Sequence, residues 1–411
     1  MAMQKAPYFV GLDIGTSSVR CVIGMMEHTD LETKISVIGV GTAVNTGMRK
    51  GTVVHLDEVS TSIAEAIAES ERMAGVRVAG ATINVNGAHV SSLPSHGVVA
   101  ISSPSRKITD EDRARVEEAA TVINLPANRE IIQVFAKNYK IDGQDNIKDP
   151  VGMQGVRLEV DTVVVTAGIP LLRNLDSAIE KAQVAVHNHT VSSLAAAEAV
   201  LDRKQKESGV AVIDIGAGTT NIVVIEEGEV EYVSVIPIGS QNLTNDLAIG
   251  LKTDLDIAEA VKKAHASLDD TIEPPEEVSV EHGGKRHSFS EKTVRMVVEA
   301  RVDELLEQIE REFKKIGKSR KLPGGVVIVG GMANMPGIAE YFKDALQLPA
   351  KTGIIQNTGG FIDTVNAPEY ATAVGLMMLD MLLSDTPVQG GIMGMAADGA
   401  GLFNKIKKIF S

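Results

Sequence analysis

The sequence predicts an α/β protein built of two related lobes. An apolar strand ending in Asp, a Gly-led turn of small hydroxyl residues and a second apolar strand span residues 8–25. The same pattern recurs at 210–225, which places Asp13 and Asp214 about half a chain apart, as expected for two copies of one supersecondary unit. A third apolar strand, 326–329, runs into Gly330-Gly331.

Each element follows from its pattern. Residues 8–14, 19–25 and 35–44 are apolar runs separated by turn residues, read as strands. Residues 56–74 place apolar side chains at every third or fourth position, a helix period. Strands are expected at 81–90, 96–101, 131–141 and 156–166, with a helix opened by Thr109 as N-cap and Asp110, Glu111 and Asp112 in its first turn. The block 83–162 reads as a compact inserted unit, because the larger strand-and-helix pattern resumes after it. Helices are expected at 170–185, 192–206, 294–315 and 368–383, and loops with a hairpin at 269–293, which holds Pro274-Pro275 and Gly283-Gly284. His187 and His189 fall in a strand-like run and read as polar surface positions. The predicted organisation is a first lobe of 1–82 and 163–200, the insert 83–162, a second lobe of 201–384 with an outer part at about 241–310, a flexible Gly-rich linker at 385–399, and a distinct segment 400–411.

Composition narrows the function classes. A length of 411 residues suits two or three domains. With 54 acidic and 40 basic residues the net charge is −14, and Trp is absent, so neither phosphate-backbone binding nor base stacking is favoured and no nucleic-acid partner is expected. The single cysteine, Cys21, excludes an internal disulfide and a Cys-cluster zinc site. No signal peptide opens the chain, which points to a reducing cytoplasm. No uncharged apolar run is long enough to span a bilayer; the densest, 371–383, contains Asp380.

The two Asp-hairpins carry the chemistry. A tight turn of small residues lets backbone N–H groups approach an anion, and Ser and Thr add donors. An ionised Asp at the strand end suits a metal ion or its bound water. One such turn is commonplace, but two facing copies can clamp the phosphates of a nucleotide with Mg²⁺ between the aspartates. The Gly330-Gly331 strand end permits a flat ligand to lie against bare backbone. Glu259 and Lys262, one helical turn apart, share a face and by themselves read as an ion pair. In 400–411, Leu402, Phe403, Ile406, Ile409 and Phe410 fall within an arc of roughly 120° of a helix. Lys405, Lys407, Lys408 and Asn404 fill the rest. An apolar stripe flanked by lysines, with no acid, is the pattern of a helix lying in an anionic membrane surface.

The three motifs in this order resemble the actin-like ATPase superfamily, and within it the chain resembles the FtsA family of cell-division proteins. The resemblance rests on Val10-Gly11-Leu12-Asp13-Ile14-Gly15-Thr16, Ile38-Gly39-Val40-Gly41, Gly47-Met48-Arg49-Lys50-Gly51, Asp149-Pro150-Val151-Gly152-Met153 with Gly155-Val156-Arg157, and Ala258-Glu259-Ala260-Val261-Lys262. It implies a two-lobed actin-like (ribonuclease H-like) fold, with 83–162 as the FtsA-type subdomain and 400–411 as a membrane-targeting amphipathic helix. It also implies ATP and Mg²⁺ as ligands. Gly15, Thr16, Ser17 and Ser18 would meet one side of the phosphates, and Gly216, Gly218, Thr219 and Thr220 the other. Asp13 and Asp214 would hold Mg²⁺ through water, Glu259 and Lys262 would face the ribose and base, and Gly330, Gly331 and Met332 would close the adenosine pocket. Arg20 aligns with a phosphate-contacting lysine of actin.

The chain departs from the hydrolysing members of the superfamily at 191–197. Ser192 and Ser193 stand where a Glu or Gln would orient water, so hydrolysis is expected to be slow or absent, and no catalytic residue is assigned. The role implied is a structural adaptor that polymerises on the cytoplasmic face of the membrane at the division site. Its implied partners are copies of itself, the C-terminal peptide of FtsZ (docked at about 241–310), and other division proteins. Two alternatives share the fold: a small-molecule kinase, which needs a catalytic carboxylate in the cleft and a substrate-specificity region, neither of them seen here, and a pilus-assembly adaptor, which lacks the terminal amphipathic helix.

Overall fold

The computed structural model describes residues 7–28, 33–271, 273–356, 358–361 and 365–384. The linker and amphipathic segment expected at 385–399 and 400–411 lie outside the described residues. The chain opens with an antiparallel meander, β1 (Tyr8–Ile14), β2 (Ser18–His28) and β3 (Thr33–Val44). The short pair β4 (Met48–Arg49) and β5 (Thr52–Val53) precedes helix α1 (Leu56–Ala74), which buries Val59, Ile63, Ala66 and Ile67 on one stripe and stops at Gly75 in the left-handed region. β6 (Gly80–Val85) then pairs in parallel with β1.

The inserted unit follows as β7 (Ser91–Ala100), α2 (Asp110–Thr121), β8 (Arg129–Ile141), β9 (Gln144–Ile147) and β10 (Arg157–Gly168). Thr109 caps α2 in a reciprocal box with Asp112, as its sequence predicts. The strand expected over 81–90 ends at Val85, where Asn86 and Gly87 (φ +105°) turn the chain out of the first sheet. Since β6 up to Val85 pairs with first-lobe strands, the chain leaves that lobe after Val85 rather than at residue 83.

The chain returns through α3 (Ile169–Lys181), β11 (Ala185–Val191), α4 (Ser192–Val200) and α5 (Arg203–Ser208). The helix expected to reach 185 stops early because Ala185 pairs with Gly80, so sheet pairing overrides the helical period. The helix expected over 192–206 breaks at Leu201, and Asp202 caps a new one.

The second lobe holds β12 (Val210–Ile215), β13 (Thr220–Glu226), β14 (Glu229–Ile236), α6 (Ser240–Leu251), α7 (Leu255–His265), the hairpin β15 (Glu277–His282) and β16 (Lys285–Ser290), α8 (Glu291–Lys315), β17 (Gly325–Val329), α9 (Ile338–Leu346) and β18 (Ala350–Thr352). β19 (Thr358–Gly360) returns to pair with β3, and α10 (Ala371–Leu383), preceded by a 3₁₀ turn at Pro368–Tyr370, packs on β1 and α4. Residues 371–383, read from sequence as part of the second lobe, therefore belong with the first lobe's core.

Among the described residues the first sheet runs β11-β6-β1-β2-β3-β19 and the second runs β18-β17-β12-β13-β14-β7-β10-β8-β9. β12 explains why the second lobe's central strand is apolar throughout. Val210 and Val212 face the core shared with the first lobe, while Ala211, Ile213 and Ile215 face α6, α7, α8 and α9. A third, smaller core around Tyr139, Leu158 and Ile108 belongs to the insert alone. The insert meets the second sheet where Ser91 pairs with Ser234, and the Ser92 hydroxyl bonds the Val233 backbone.

Candidate functional site

The two Asp-hairpins are built alike and face each other. The Gly15 N–H donates to the Ser18 carbonyl at 3.0 Å, and the Gly216 N–H to the Thr219 carbonyl at 2.9 Å. Asn45 braces the first turn from behind, its side-chain amide donating to the Gly15 carbonyl (2.8 Å) and its N–H to the Ser17 carbonyl (3.0 Å). The second turn is braced by the first turn of α6, whose Ser240 and Gln241 N–H groups donate to the Gly216 and Ala217 carbonyls. The turns approach so closely that a methyl group on Gly218 would lie 2.6 Å from the Thr16 hydroxyl oxygen and 3.0 Å from the Lys50 Cα. Ser17 is exposed and Thr16 and Ser18 half-buried, whereas Thr219 and Thr220 are buried. The Thr220 hydroxyl donates to the Ile238 carbonyl at 2.8 Å, so it turns into the second lobe.

Asp13 and Asp214 end β1 and β12, both buried. Burial pushes the Asp13 carboxyl up to about 7, with the charge of Arg20 opposing and that of Asp214 adding to the rise. Burial likewise raises Asp214 to about 6, opposed by the Thr372 hydroxyl (3.4 Å), by Arg20 and by Asn221. Two carboxylates so disfavoured in their charged form suit a divalent cation. They are two ligands only, so a Mg²⁺ ion there would keep several waters or phosphate oxygens. The Arg20 guanidinium lies 5.3 Å from the Tyr370 ring centroid, and its buried Nε has no hydrogen-bond partner among the described residues.

The remaining candidates divide. Gly330 (φ +85°) stands directly behind Asp214: a Cβ there would lie 2.5 Å from the Asp214 Oδ1, so only glycine fits. Gly331 is exposed with open space where a side chain would be. The Met332 side chain is buried in the second-lobe core, leaving its backbone to line the strand end. Glu259 and Lys262 form an ion pair at 2.6 Å, and both bond the Thr244 hydroxyl, at 2.6 and 2.9 Å. Burial alone would raise Glu259, but the bonds from Lys262 and Thr244 outweigh it and hold it below its ordinary value, while burial lowers Lys262. Lys262 also reaches the Ser240 carbonyl, which ties the pair to the helix that braces the second hairpin. His187 and His189 each bond an aspartate, Asp380 and Asp176.

Sequence reading did not single out Asn84, Asn86 or Thr372, nor give a site role to Thr82 or Tyr370. Asn84 donates to the Asp13 Oδ1 at 2.6 Å and accepts from the Ile14 N–H at 2.7 Å. A signal was present in the alternation of Thr82, Asn84 and Asn86 along an otherwise apolar strand, which puts three polar groups on one face. Their partners lie far away in sequence. The membrane residues Leu402, Phe403, Lys405, Ile406, Lys407, Lys408, Ile409 and Phe410 lie outside the described residues, and among the described residues no helix is long and apolar enough to cross a membrane.

Comparison with known proteins adds to this geometry. The family model described as cell division protein FtsA matches residues 211–375, and that of the SHS2 domain inserted in FTSA matches 87–166. The curated cell division protein FtsA of Bacillus subtilis (strain 168) is 38% identical over 378 residues, covering 91% of this chain and 84% of that protein. Among solved structures, a PilM-PilN type IV pilus biogenesis complex aligns with a TM-score of 0.65 at 16% identity, covering 90% of this chain and 98% of that one. MreB 5 of Spiroplasma citri bound to AMPPNP aligns with a TM-score of 0.52 at 13% identity, covering 92% and 97%. These structural likenesses establish the actin-like fold.

Proposed function

The chain belongs to the FtsA family of cell division proteins, and from that premise we propose that it is an ATP-binding, filament-forming adaptor of the division machinery. The observation that carries the nucleotide reading is the pair of facing turns with the buried aspartates Asp13 and Asp214 between them. Thr16, Ser17, Ser18 and the backbone of 216–219 would receive phosphates, and Arg20 would add a cation. Asp13 and Asp214 would hold Mg²⁺, which would supply charge neutralisation for the phosphates. Gly330 and Gly331 would admit the nucleoside beside the Glu259–Lys262 pair. That MreB 5 of Spiroplasma citri carries AMPPNP on the same fold supports this ligand class.

The adaptor part of the reading rests on family membership and on residues 400–411. A lysine-flanked apolar stripe would seat the protein peripherally on the cytoplasmic face of the membrane at the division site. The outer part of the second lobe, about 241–310, would take the C-terminal peptide of FtsZ, and copies of the chain would polymerise. Other division proteins would join the same assembly. With Ser192 and Ser193 at the water-orienting place, nucleotide would act on polymer state more than as fuel. The pilus-adaptor and kinase alternatives are both disfavoured by the family.

Isothermal titration tests the nucleotide site. Asp214→Ala should weaken Mg-ATP binding at least tenfold while the fold survives, and Gly331→Val should obstruct the nucleoside. Unchanged affinity in both variants would overturn the assignment. Electron microscopy on anionic lipid monolayers tests the adaptor reading: ordered filaments are expected on lipid with ATP, and their absence under all conditions would count against it.

A further inference from the structure

A chain of buried polar contacts leads from the cleft to the point where the inserted unit departs. The Asn84 amide donates both to the Asp13 Oδ1 (2.6 Å) and to the Ser192 hydroxyl (3.0 Å), and the Ser192 hydroxyl in turn donates to the Asn86 Oδ1 (2.6 Å). Asn84 and Ser192 are each 1% exposed. Bonds this deeply buried are costly to break singly, so the three side chains hold one arrangement. Asn86 and Gly87 form the turn that ends β6 and leads to β7 of the insert.

A second, independent contact reaches the same turn from the phosphate hairpin. The Gly51 N–H donates to the Thr16 hydroxyl at 3.1 Å, and Gly51 sits on Asn86 and Gly87: a Cβ on it would lie 2.7 Å from the Gly87 nitrogen and 2.9 Å from the Asn86 Cβ. Gly51 has φ +75°, so both its backbone and its clearance require glycine. The metal-directed carboxylate and the phosphate turn therefore converge on one two-residue junction.

We infer that Asn84 is a positioning residue for the Asp13 carboxylate, and that the Asn84–Ser192–Asn86 chain, together with Gly51, makes the seating of a magnesium-bound nucleotide and the placement of the inserted unit depend on each other. The inference rests on the nucleotide reading above. By reciprocity, whatever grips the insert must alter magnesium-nucleotide affinity by the same factor as the nucleotide alters that grip.

The test combines calorimetry with hydrogen exchange on the full chain. ATP is titrated with Mg²⁺ and with EDTA into the unaltered protein, Ser192→Ala, Ser192→Thr and Asn86→Ala. Exchange of residues 87–100 is followed with and without Mg-ATP. In the unaltered chain Mg-ATP should slow exchange in 87–100. Ser192→Ala and Asn86→Ala should weaken Mg-ATP binding roughly five- to fiftyfold. Both should leave binding in EDTA within about twofold and abolish the exchange response. Ser192→Thr, which keeps the hydroxyl, should restore most of both. Should Ser192→Ala fail to fold, Asn86→Ala, which cuts the chain outside the cleft, carries the test. If the unaltered chain binds Mg-ATP and the variants match it in affinity and exchange, or lose ATP equally with and without Mg²⁺, the inference is overturned alone. If the unaltered chain binds no Mg-ATP, the nucleotide reading falls and the inference with it.

Discussion

Asp13 and Asp214 are both buried, and among the described residues Arg20 is a cation that offsets both, which sets a definite pH dependence. In the unfolded chain both carboxyls titrate near 3.8, while in the folded one Asp13 is raised to about 7 and Asp214 to about 6. The folded state thus holds these protons to higher pH. The pair's contribution to stability is fully present below about pH 4 and is lost as pH rises through 6 to 7. In magnesium-free buffer Asp13→Asn should stabilise the protein by about 2–4 kcal/mol at pH 8, the gain shrinking toward pH 4. Urea unfolding at the two pH values checks this, and a pH-independent difference would sink the ionisation account. Saturating Mg-ATP should reverse the sign, because the ion requires the carboxylate. Of the two serines, Ser192 is committed to Asn84 and Asn86, while the Ser193 hydroxyl is buried with no hydrogen-bond partner among the described residues, and neither supplies the carboxylate or amide of a Glu or Gln. A missing acid–base group costs about 10²–10⁴ in rate. Phosphate release should accordingly be slow, and a brisk Mg²⁺-dependent release that survives alanine at both serines would show that another group serves.

At the scale of elements, α10 packs on the first sheet through its apolar residues, and one buried carboxylate bonds it there. Asp380 accepts from the Val10 N–H (2.9 Å), the Thr82 hydroxyl (2.8 Å) and the His187 Nδ1 (2.8 Å), and joins α10 to β1, β6 and β11. Asp380→Ala leaves these donors without an acceptor in a buried site and should cost about 3–5 kcal/mol by thermal or denaturant unfolding. A loss below about 1 kcal/mol would mean water replaces the carboxylate. The bond to Asp380 raises His187 above its ordinary value, against the lowering by burial. A raised histidine contributes stability that is present below about pH 6.5 and lost as pH rises through its folded value. The stability gap between the unaltered protein and His187→Gln should therefore be wider at pH 6 than at pH 9, and an equal gap would remove the charged pair from the account.

For the whole molecule the proposed anchor is the segment 400–411, which carries +3 while the rest of the chain carries −14 − 3 = −17. An isolated helix of about a dozen residues is marginal in water, and three lysines near anionic lipid add only about 1 kcal/mol each. One tail should bind weakly. Tails linked in a polymer gain about 10²–10⁴ in effective concentration for each linked pair, so polymerisation and membrane binding should rise together. Deleting residues 400–411, or changing Phe403 and Ile406 to Glu, should abolish co-sedimentation with anionic liposomes while nucleotide binding persists. Pelleting of the truncated protein equal to that of the full chain would remove the tail as the anchor.

What was legible in the sequence was local or repeated. The Asp-hairpins, the Gly330-Gly331 strand end, the capped helix after Thr109 and the helical period of 56–74 each depend on neighbours a few residues away, where backbone sterics and hydrophobic alternation decide the outcome. Tertiary structure alone decided the rest, because it depends on partners far apart in the chain. Sheet pairing with β6 ended the helix before Ala185, and packing on β1 and α4 carried residues 371–383 back to the first lobe. The cleft's supporting set follows the same rule. Asn84 meets Asp13 across 71 residues of chain and Ser192 across 108, and Thr372 meets Asp214 across 158. A buried polar side chain finds its partner wherever the fold brings one, so one strand's polar alternation announces that partners exist without saying which they are.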